Sequence, residues 1–386
     1  MKIAFIVASI NSKSNGLGGH YYSLLETANQ ISKKHEVIII NVGNQAAKAL
    51  ERTNIKTFRV IYNGLALHKT YTHIKYIINS ERPDVLHAFD VLAFFWARLA
   101  GNIFKIRICL TKCGGANQVY FPYAKNLILF STENLAFFKS KRKFQDSNLH
   151  LLPNRINQFT DDDLVIDKIL NAVGHYRNGF KFLRITRIGK YYRKSSLQLI
   201  QLVKQLSDDG IHCCAIFVGT VEDEIYLEEL KTIGSENIFF FTTDDFTQNA
   251  KKIINCADSV LGTGRSFMEA AAKGKILLSP NNNSRIPVLI QQDNFEQAFY
   301  YNFSERIQFP KYNEENNYQA IKHAIQDKNR EEEIKKFSNS VFERFFDAEK
   351  ILTKYDQIYK QLIDKPPKKI SDFLLHALFL MRSYFK

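Results

Sequence analysis

The sequence predicts two doubly wound α/β domains in tandem, and three observations lead there. Runs of Ile, Val, Phe and Leu of strand length alternate with segments of helical period, the pattern of a parallel sheet covered on both faces. Around Asn157–Asn178 that pattern fades into polar and acidic residues, including Asp161, Asp162 and Asp163, and then begins again. Glycines and cations gather just after the strand ends, where such sheets bind ligands.

In the first half, strands are predicted at Lys2–Ala8, Val37–Val42, Thr57–Ile61, Val85–Phe89, Ile106–Leu110 and Leu127–Phe130. The opening run resembles a signal sequence, but it is short and leads directly into a glycine loop and helix, so it reads as a buried strand. That helix, Gly19–Lys34, places Leu24, Leu25, Ala28 and Ile31 on one face. In the second half, strands are predicted at Phe182–Arg187, Cys213–Val218, Ile238–Thr242, Ser259–Leu261 and Ile276–Leu278. Helices Ser195–Leu206, Glu222–Ile233, Thr247–Cys256 and Ser266–Lys273 fall between them.

A last helix is predicted from the spacing of Ile351, Leu352, Tyr355, Ile358, Tyr359 and Leu362, and Pro366-Pro367 ends it. The tail, Lys368–Lys386, combines Phe, Leu and Met with Lys and Arg at both ends. The expected domains are residues 1–165, 178–345 and a C-terminal crossover helix with basic tail, 346–386. A chain of 386 residues exceeds what one core usually serves, which agrees with that division.

The net charge of +14 calls for an anionic partner. Nucleic acid is not favoured, because no aromatic-interleaved basic stretch or nucleic-acid motif occurs. Five cysteines, Cys109, Cys113, Cys213, Cys214 and Cys256, are an odd number without metal-ligand spacing. A reducing cytosol is therefore expected, with no disulfide framework and no metal. No run reaches the roughly 20 apolar residues that span a bilayer.

Three constellations could carry chemistry. Gly16, Gly18, Gly19 and His20 follow the first strand and open a helix, where backbone N–H groups can hold an anion; a flexible turn is the alternative. Arg187 closes the first strand of the second domain, with Arg193 and Lys194 before the next helix. Cations so placed suit a diphosphate leaving group, although solvated loop charges look the same. Third, Gly262, Gly264, Arg265, Ser266 and Glu269 form a strand–turn–helix, in which Ser266 and Glu269 also have the spacing of a capping box. Lys112 beside Cys113, and His87 with Asp90, sit at strand ends as weaker candidates for an acceptor site or a base.

These residues resemble the retaining GT-B glycosyltransferases of the large bacterial family 4, which build lipopolysaccharide, capsule and related glycans. The resemblance rests on Gly18-Gly19 in the first loop, Pro83-Asp84-Val85-Leu86-His87 and Leu152-Pro153-Asn154-Arg155-Ile156. In the second half it rests on Arg187 with Lys194, and on Glu269-Ala270-Ala271-Ala272-Lys273-Gly274. It implies that Arg187 and Lys194 are the catalytic diphosphate pair and that Glu269 contacts the donor ribose. Two positions depart from the family pattern. Leu261 stands where the family has a further Glu, so the sugar falls to the Gly262–Ser266 turn, and Lys112-Cys113 stands where a His is common.

The implied activity is transfer of a sugar from a UDP- or GDP-linked donor to a saccharide or lipid-linked acceptor, with no cofactor. Inversion with Asp90 or His20 as base is the alternative mechanism, and a GT-B nucleotide-sugar epimerase the alternative enzyme. A cytoplasmic location is expected, with the tail either folded back on the first domain or lying on an anionic membrane surface.

Overall fold

Which strands lie side by side decides where each half can bind a ligand. In the computed structural model, residues 1–10, 18–64, 66–153, 155–362 and 370–384 are described. They form two compact units, Met1–Asn157 with Ala348–Lys386, and Gln158–Asp347.

The first unit runs β1 (Lys2–Ser9), α1 (Gly19–Ser32), β2 (Glu36–Gly43), β3 (Thr57–Ile61), α2 (Leu67–Glu81) and β4 (Val85–Ala88). It continues α3 (Val91–Phe104), β5 (Arg107–Lys112), β6 (Asn126–Leu129), α4 (Thr132–Ser140) and β7 (Asn148–Leu151). Seven parallel strands lie in the order β3-β2-β1-β4-β5-β6-β7. Strand side chains alternate between faces: Ala4 and Ile6 pack with Leu86, Trp96 and Leu110, while Ile3, Phe5 and Val7 pack with Leu24, Ile31 and Tyr355. Because β1 and β4 are neighbours, connections leave this pair in opposite directions and a crevice forms at their carboxyl ends.

The second unit begins α5 (Asp163–Ala172), β8 (Phe180–Ile185), α6 (Arg193–Asp208), β9 (Cys213–Val218), α7 (Glu224–Ile233), β10 (Ile238–Phe241) and α8 (Asp244–Thr247). There follow β11 (Ser259–Leu261), α9 (Arg265–Ala272), β12 (Ile276–Ser279), β13 (Val288–Leu289), α10 (Phe295–Tyr300), α11 (Glu314–Gln326) and α12 (Lys328–Val341). The order is β10-β9-β8-β11-β12-β13, parallel except for β13. Here the switch point lies between β8 and β11.

Residues 158–178, where the fading apolar pattern suggests an interdomain linker, belong to the second unit. Asp162 caps α5 by accepting from the Val165 N–H, Asp161 pairs with Lys273 at 2.8 Å, and Ile166 and Ile169 are buried. An acidic run at a helix N-terminus satisfies orphan donors and the helix dipole, which in sequence looks the same as a solvated linker.

The chain then returns to the first unit. In α13 (Leu352–Gln361), Tyr355, Ile358 and Tyr359 enter the core beside Phe5 and Leu24. Helix α14 (Ile370–Tyr384) lies against α3, with Leu380 buried and Phe373 stacked on Phe95 at 5.1 Å. Pro366, Pro367, Lys368, Lys369 and Lys386 lie outside the described residues. Among the described residues no helix is long and apolar enough to cross a membrane.

Two buried histidines make the first unit acid-sensitive. His87 joins Tyr359 Oη at 2.8 Å and Thr111 Oγ1 at 2.7 Å, and burial pushes its pKa down to about 3. His376, bonded to the Val91 carbonyl, is pushed down to about 4, chiefly by burial. An unfolded histidine takes up a proton near pH 6.5 and these do not, so stability is full above that pH and falls as pH drops towards 4. The expected slope is about 1.4 kcal/mol per pH unit for each histidine. Urea unfolding across this range should show it, and His87→Gln should reduce the slope by one proton. A slope unchanged in that variant contradicts the assignment.

Candidate functional site

At the carboxyl edge of the second sheet, β8 and β11 each end in a loop that feeds a helix. Arg187 lies two residues beyond β8. It donates to Glu222 Oε1 at 2.7 Å and to Tyr192 Oη at 3.1 Å, with its guanidinium 5.3 Å from the Tyr192 ring centre. Lys194 occupies the first turn of α6 and reaches across to Asn282, donating to its carbonyl and to Oδ1. Arg193 turns away to Glu229. The α6 N-cap, Tyr192, supplies no side-chain acceptor; a 3-10 turn, Lys190–Tyr192, leads into the helix, and the Arg193 N–H bonds to the Lys190 carbonyl.

The turn after β11 requires its glycines. A Cβ on Gly262 would stand 2.4 Å from Phe267 Cα, and Gly264 has φ of +51°, a conformation side chains rarely adopt. Gly264 is itself the N-cap of α9. Helix α9 thus starts two residues earlier than a Ser266 cap requires. Ser266 Oγ instead accepts from the Thr263 N–H at 3.0 Å, and Glu269 pairs with Arg265 at 2.7 Å. The capping-box spacing therefore serves a different arrangement. Arg187, Lys194, Gly262, Gly264, Arg265, Ser266 and Glu269 all fall at the ends of neighbouring strands or on the helices they feed.

Beneath them lies an ion pair that the motifs did not reveal. Arg184, wholly buried in β8, donates to the Leu261 carbonyl at 2.9 Å, to Ser195 Oγ at 2.6 Å and to Glu305 Oε1 at 3.0 Å. Burial lowers the guanidinium pKa and Glu305 opposes that effect. This network ties β8, β11, α6 and the loop after α10 together. A charged residue inside the run Phe182-Leu183-Arg184-Ile185 was the sequence signal that a partner must exist.

In the first unit the candidates divide. Gly18 is the α1 N-cap, Gly19 has open space where a Cβ would be, and His20 lies against Tyr21. Gly16 lies outside the described residues. Asp90 caps α3 by accepting from the Ala93 N–H at 2.8 Å and also accepts from Ala8 of β1 at 2.7 Å. Burial pushes its pKa up to about 6 against those backbone bonds. Lys112 donates to the carbonyls of Gly114 and Ala116, bracing its own loop. His87 is a core residue with both ring nitrogens engaged, which corrects its placement among groups open to an acceptor. Among the described residues no group of three or more His, Cys, Asp or Glu side chains is placed to hold a metal ion.

No family model and no curated protein sequence matches the chain. Solved structures do. HepE of Anabaena in complex with UDP-glucose has a TM-score of 0.67 at 16% identity, over 94% of this chain and 100% of that one. A glycosyltransferase from Rickettsia africae has a TM-score of 0.67 at 16% identity, over 93% and 98%. The UDP-GlcNAc 2-epimerase of Methanocaldococcus jannaschii has a TM-score of 0.55 at 14% identity, over 92% and 100%. At such identities the likeness is one of fold, and the fold is the two-domain Rossmann-like GT-B type.

Because a buried charge depends on its partner, Glu305→Gln should lower stability by about 3 kcal/mol, since it leaves the Arg184 charge uncompensated. Arg184→Met combined with Glu305→Leu should recover most of that loss. Calorimetric melting of the full chain checks both; a Glu305→Gln protein as stable as the wild type contradicts the role given to the pair.

Proposed function

We propose that this chain is a glycosyltransferase whose nucleotide-sugar donor, UDP- or GDP-linked, places its diphosphate at the carboxyl ends of β8 and β11. One observation carries the reading. Two neighbouring strands at the switch point deliver Arg187, Lys194, a glycine turn and the start of α6 to a single edge. Phosphate oxygens are recognised by that combination of cations and helix N-termini. The shared fold of HepE, whose structure contains UDP-glucose, supports it.

In the mechanism proposed, the bond between the anomeric carbon and the diphosphate breaks while an acceptor hydroxyl forms the new bond from the same face. The departing diphosphate takes the acceptor proton. Arg187 and Lys194 stabilise the charge that develops on the leaving group, and no side-chain nucleophile is required. Glu269, steadied by Arg265, is assigned to the donor ribose, and the Gly262–Ser266 turn to the sugar. The acceptor, a saccharide or lipid-linked saccharide of cell-surface polysaccharide synthesis, is assigned to the β1–β4 crevice with Gly18, Gly19, His20 and Lys112. Asp90 is held by two backbone N–H groups and serves an inverting base role less readily.

Titration calorimetry with UDP and GDP should show binding of one or both. Arg187→Ala should weaken that binding and cut turnover roughly a hundredfold with an unchanged melting temperature, as for a lost transition-state donor. Near-normal turnover in the variant contradicts the assignment. A UDP-sugar converted to its epimer without acceptor would establish the epimerase reading, for which the shared fold of the Methanocaldococcus enzyme speaks.

A further inference from the structure

Helix α14 has two faces that call for a partner, and the fold uses only one. Asp372, His376 and Leu380 recur every fourth residue and are buried on the inner face. That face is docked specifically. Asp372 pairs with Arg98 at 3.0 Å and with Lys143, and it accepts from the Tyr123 N–H at 3.0 Å. Tyr62 Oη donates to the Leu380 carbonyl, and Arg98 lies over the Phe373 ring. The outer face carries Ile370, Leu374, Leu375 and Leu378, which are between 53% and 71% exposed. A surface helix ordinarily turns charged residues outward. This one turns out four aliphatic side chains, and a contiguous apolar patch of that kind marks an interaction surface.

The charge around the patch identifies its partner. Residues Met1–Asn157 and Ala348–Lys386 contain 29 Lys and Arg against 12 Asp and Glu, whereas Gln158–Asp347 contains 24 against 27. The whole basic excess therefore sits in the unit that carries α14. Part of it lies next to the helix: Lys143, bonded to Asp372, ends the exposed run Lys139, Lys141 and Arg142, and Arg382 is exposed at the far end of α14. Val119, fully exposed, adjoins Tyr120, whose ring meets Phe379 of α14 at 5.8 Å. A second copy of so basic a unit would be repelled, while an anionic surface would be attracted.

We propose that α14 lies in the plane of an anionic lipid bilayer, with Leu374, Leu375 and Leu378 in the acyl boundary and the Lys139–Lys143 run on the headgroups. The helix stays docked on α3 by its inner face while it does so. Apolar burial and electrostatic attraction then add, as for interfacial helices in general. This inference does not depend on the reaction proposed above.

Flotation of the full chain should show binding to vesicles containing phosphatidylglycerol and little to pure phosphatidylcholine. Binding should weaken roughly tenfold on raising salt from low to physiological concentration, as headgroup attraction is screened. The triple variant Leu374→Ser, Leu375→Ser, Leu378→Ser should lose flotation while keeping its melting temperature, because none of these side chains is buried. Should that variant melt lower, Leu375→Trp gives a separate readout: its emission should shift to the blue on anionic vesicles and be quenched by brominated lipid, over a constant background from buried Trp96. Absence of vesicle binding, or an emission from the introduced tryptophan that ignores brominated lipid, overturns the proposal. So does a wild-type dimer in sedimentation that the triple variant abolishes, which would make the patch a contact between copies.

Discussion

A guanidinium sits in a protein interior only where its charge finds partners, and the terminal nitrogens of Arg184 find them in three other parts of the second unit. The Leu261 carbonyl, Ser195, Glu305 and the backbone they belong to are held within hydrogen-bond distance of one side chain. Unpaired, such a charge would cost several kcal/mol, so the end of β8, the end of β11, the start of α6 and the loop after α10 are constrained together. The loops bearing Arg187, Lys194 and Gly262–Glu269 all grow from those ends. Their placement is thus fixed from below, by an interaction that touches none of the outer residues' own polar groups except through the backbone.

The first unit reaches the same end by the opposite charge. Asp90 draws the amide of Ala8 and the first turn of α3 onto one carboxylate, which joins β1 to β4 at their switch point. In both sheets the two strands at the switch point are fastened by a single charged side chain reaching backbone of the neighbouring element. The consequence differs with sign. Burial raises the Asp90 pKa to about 6, close to neutrality, whereas Arg184 stays cationic beside its carboxylate.

What the sequence revealed follows from how local each feature is. β9 and β11 match their sequence bounds, because Cys213–Val218 lies between His212 and Gly219 and Ser259–Leu261 between Asp258 and Gly262. β7 and β13 were missed: Asn148-Leu149-His150-Leu151 alternates too briefly, and Val288-Leu289 is only two residues long. The cationic and glycine positions of the second unit stand out in the sequence because they follow strand ends, where doubly wound sheets bind ligands. Glu305 was not, since its partner Arg184 lies 121 residues away and nothing local links them. His87 has the spacing of a site residue at a strand end, yet Tyr359, 272 residues later, makes it part of the core. The tail's amphipathic pattern suits either docking on the first domain or an anionic membrane surface, and a helix docked by one face with aliphatic side chains on the other carries both signals at once.

The central claim is that the β8–β11 edge holds a nucleoside diphosphate, and amide hydrogen exchange tests it most directly, because it reports where a ligand binds without needing the acceptor or the sugar. Saturating UDP or GDP should slow exchange in the segments Arg187–Ser195 and Leu261–Glu269, which follow the carboxyl ends of β8 and β11. Protection confined to the segments that follow β1 and β4, with these two unchanged, would contradict the account.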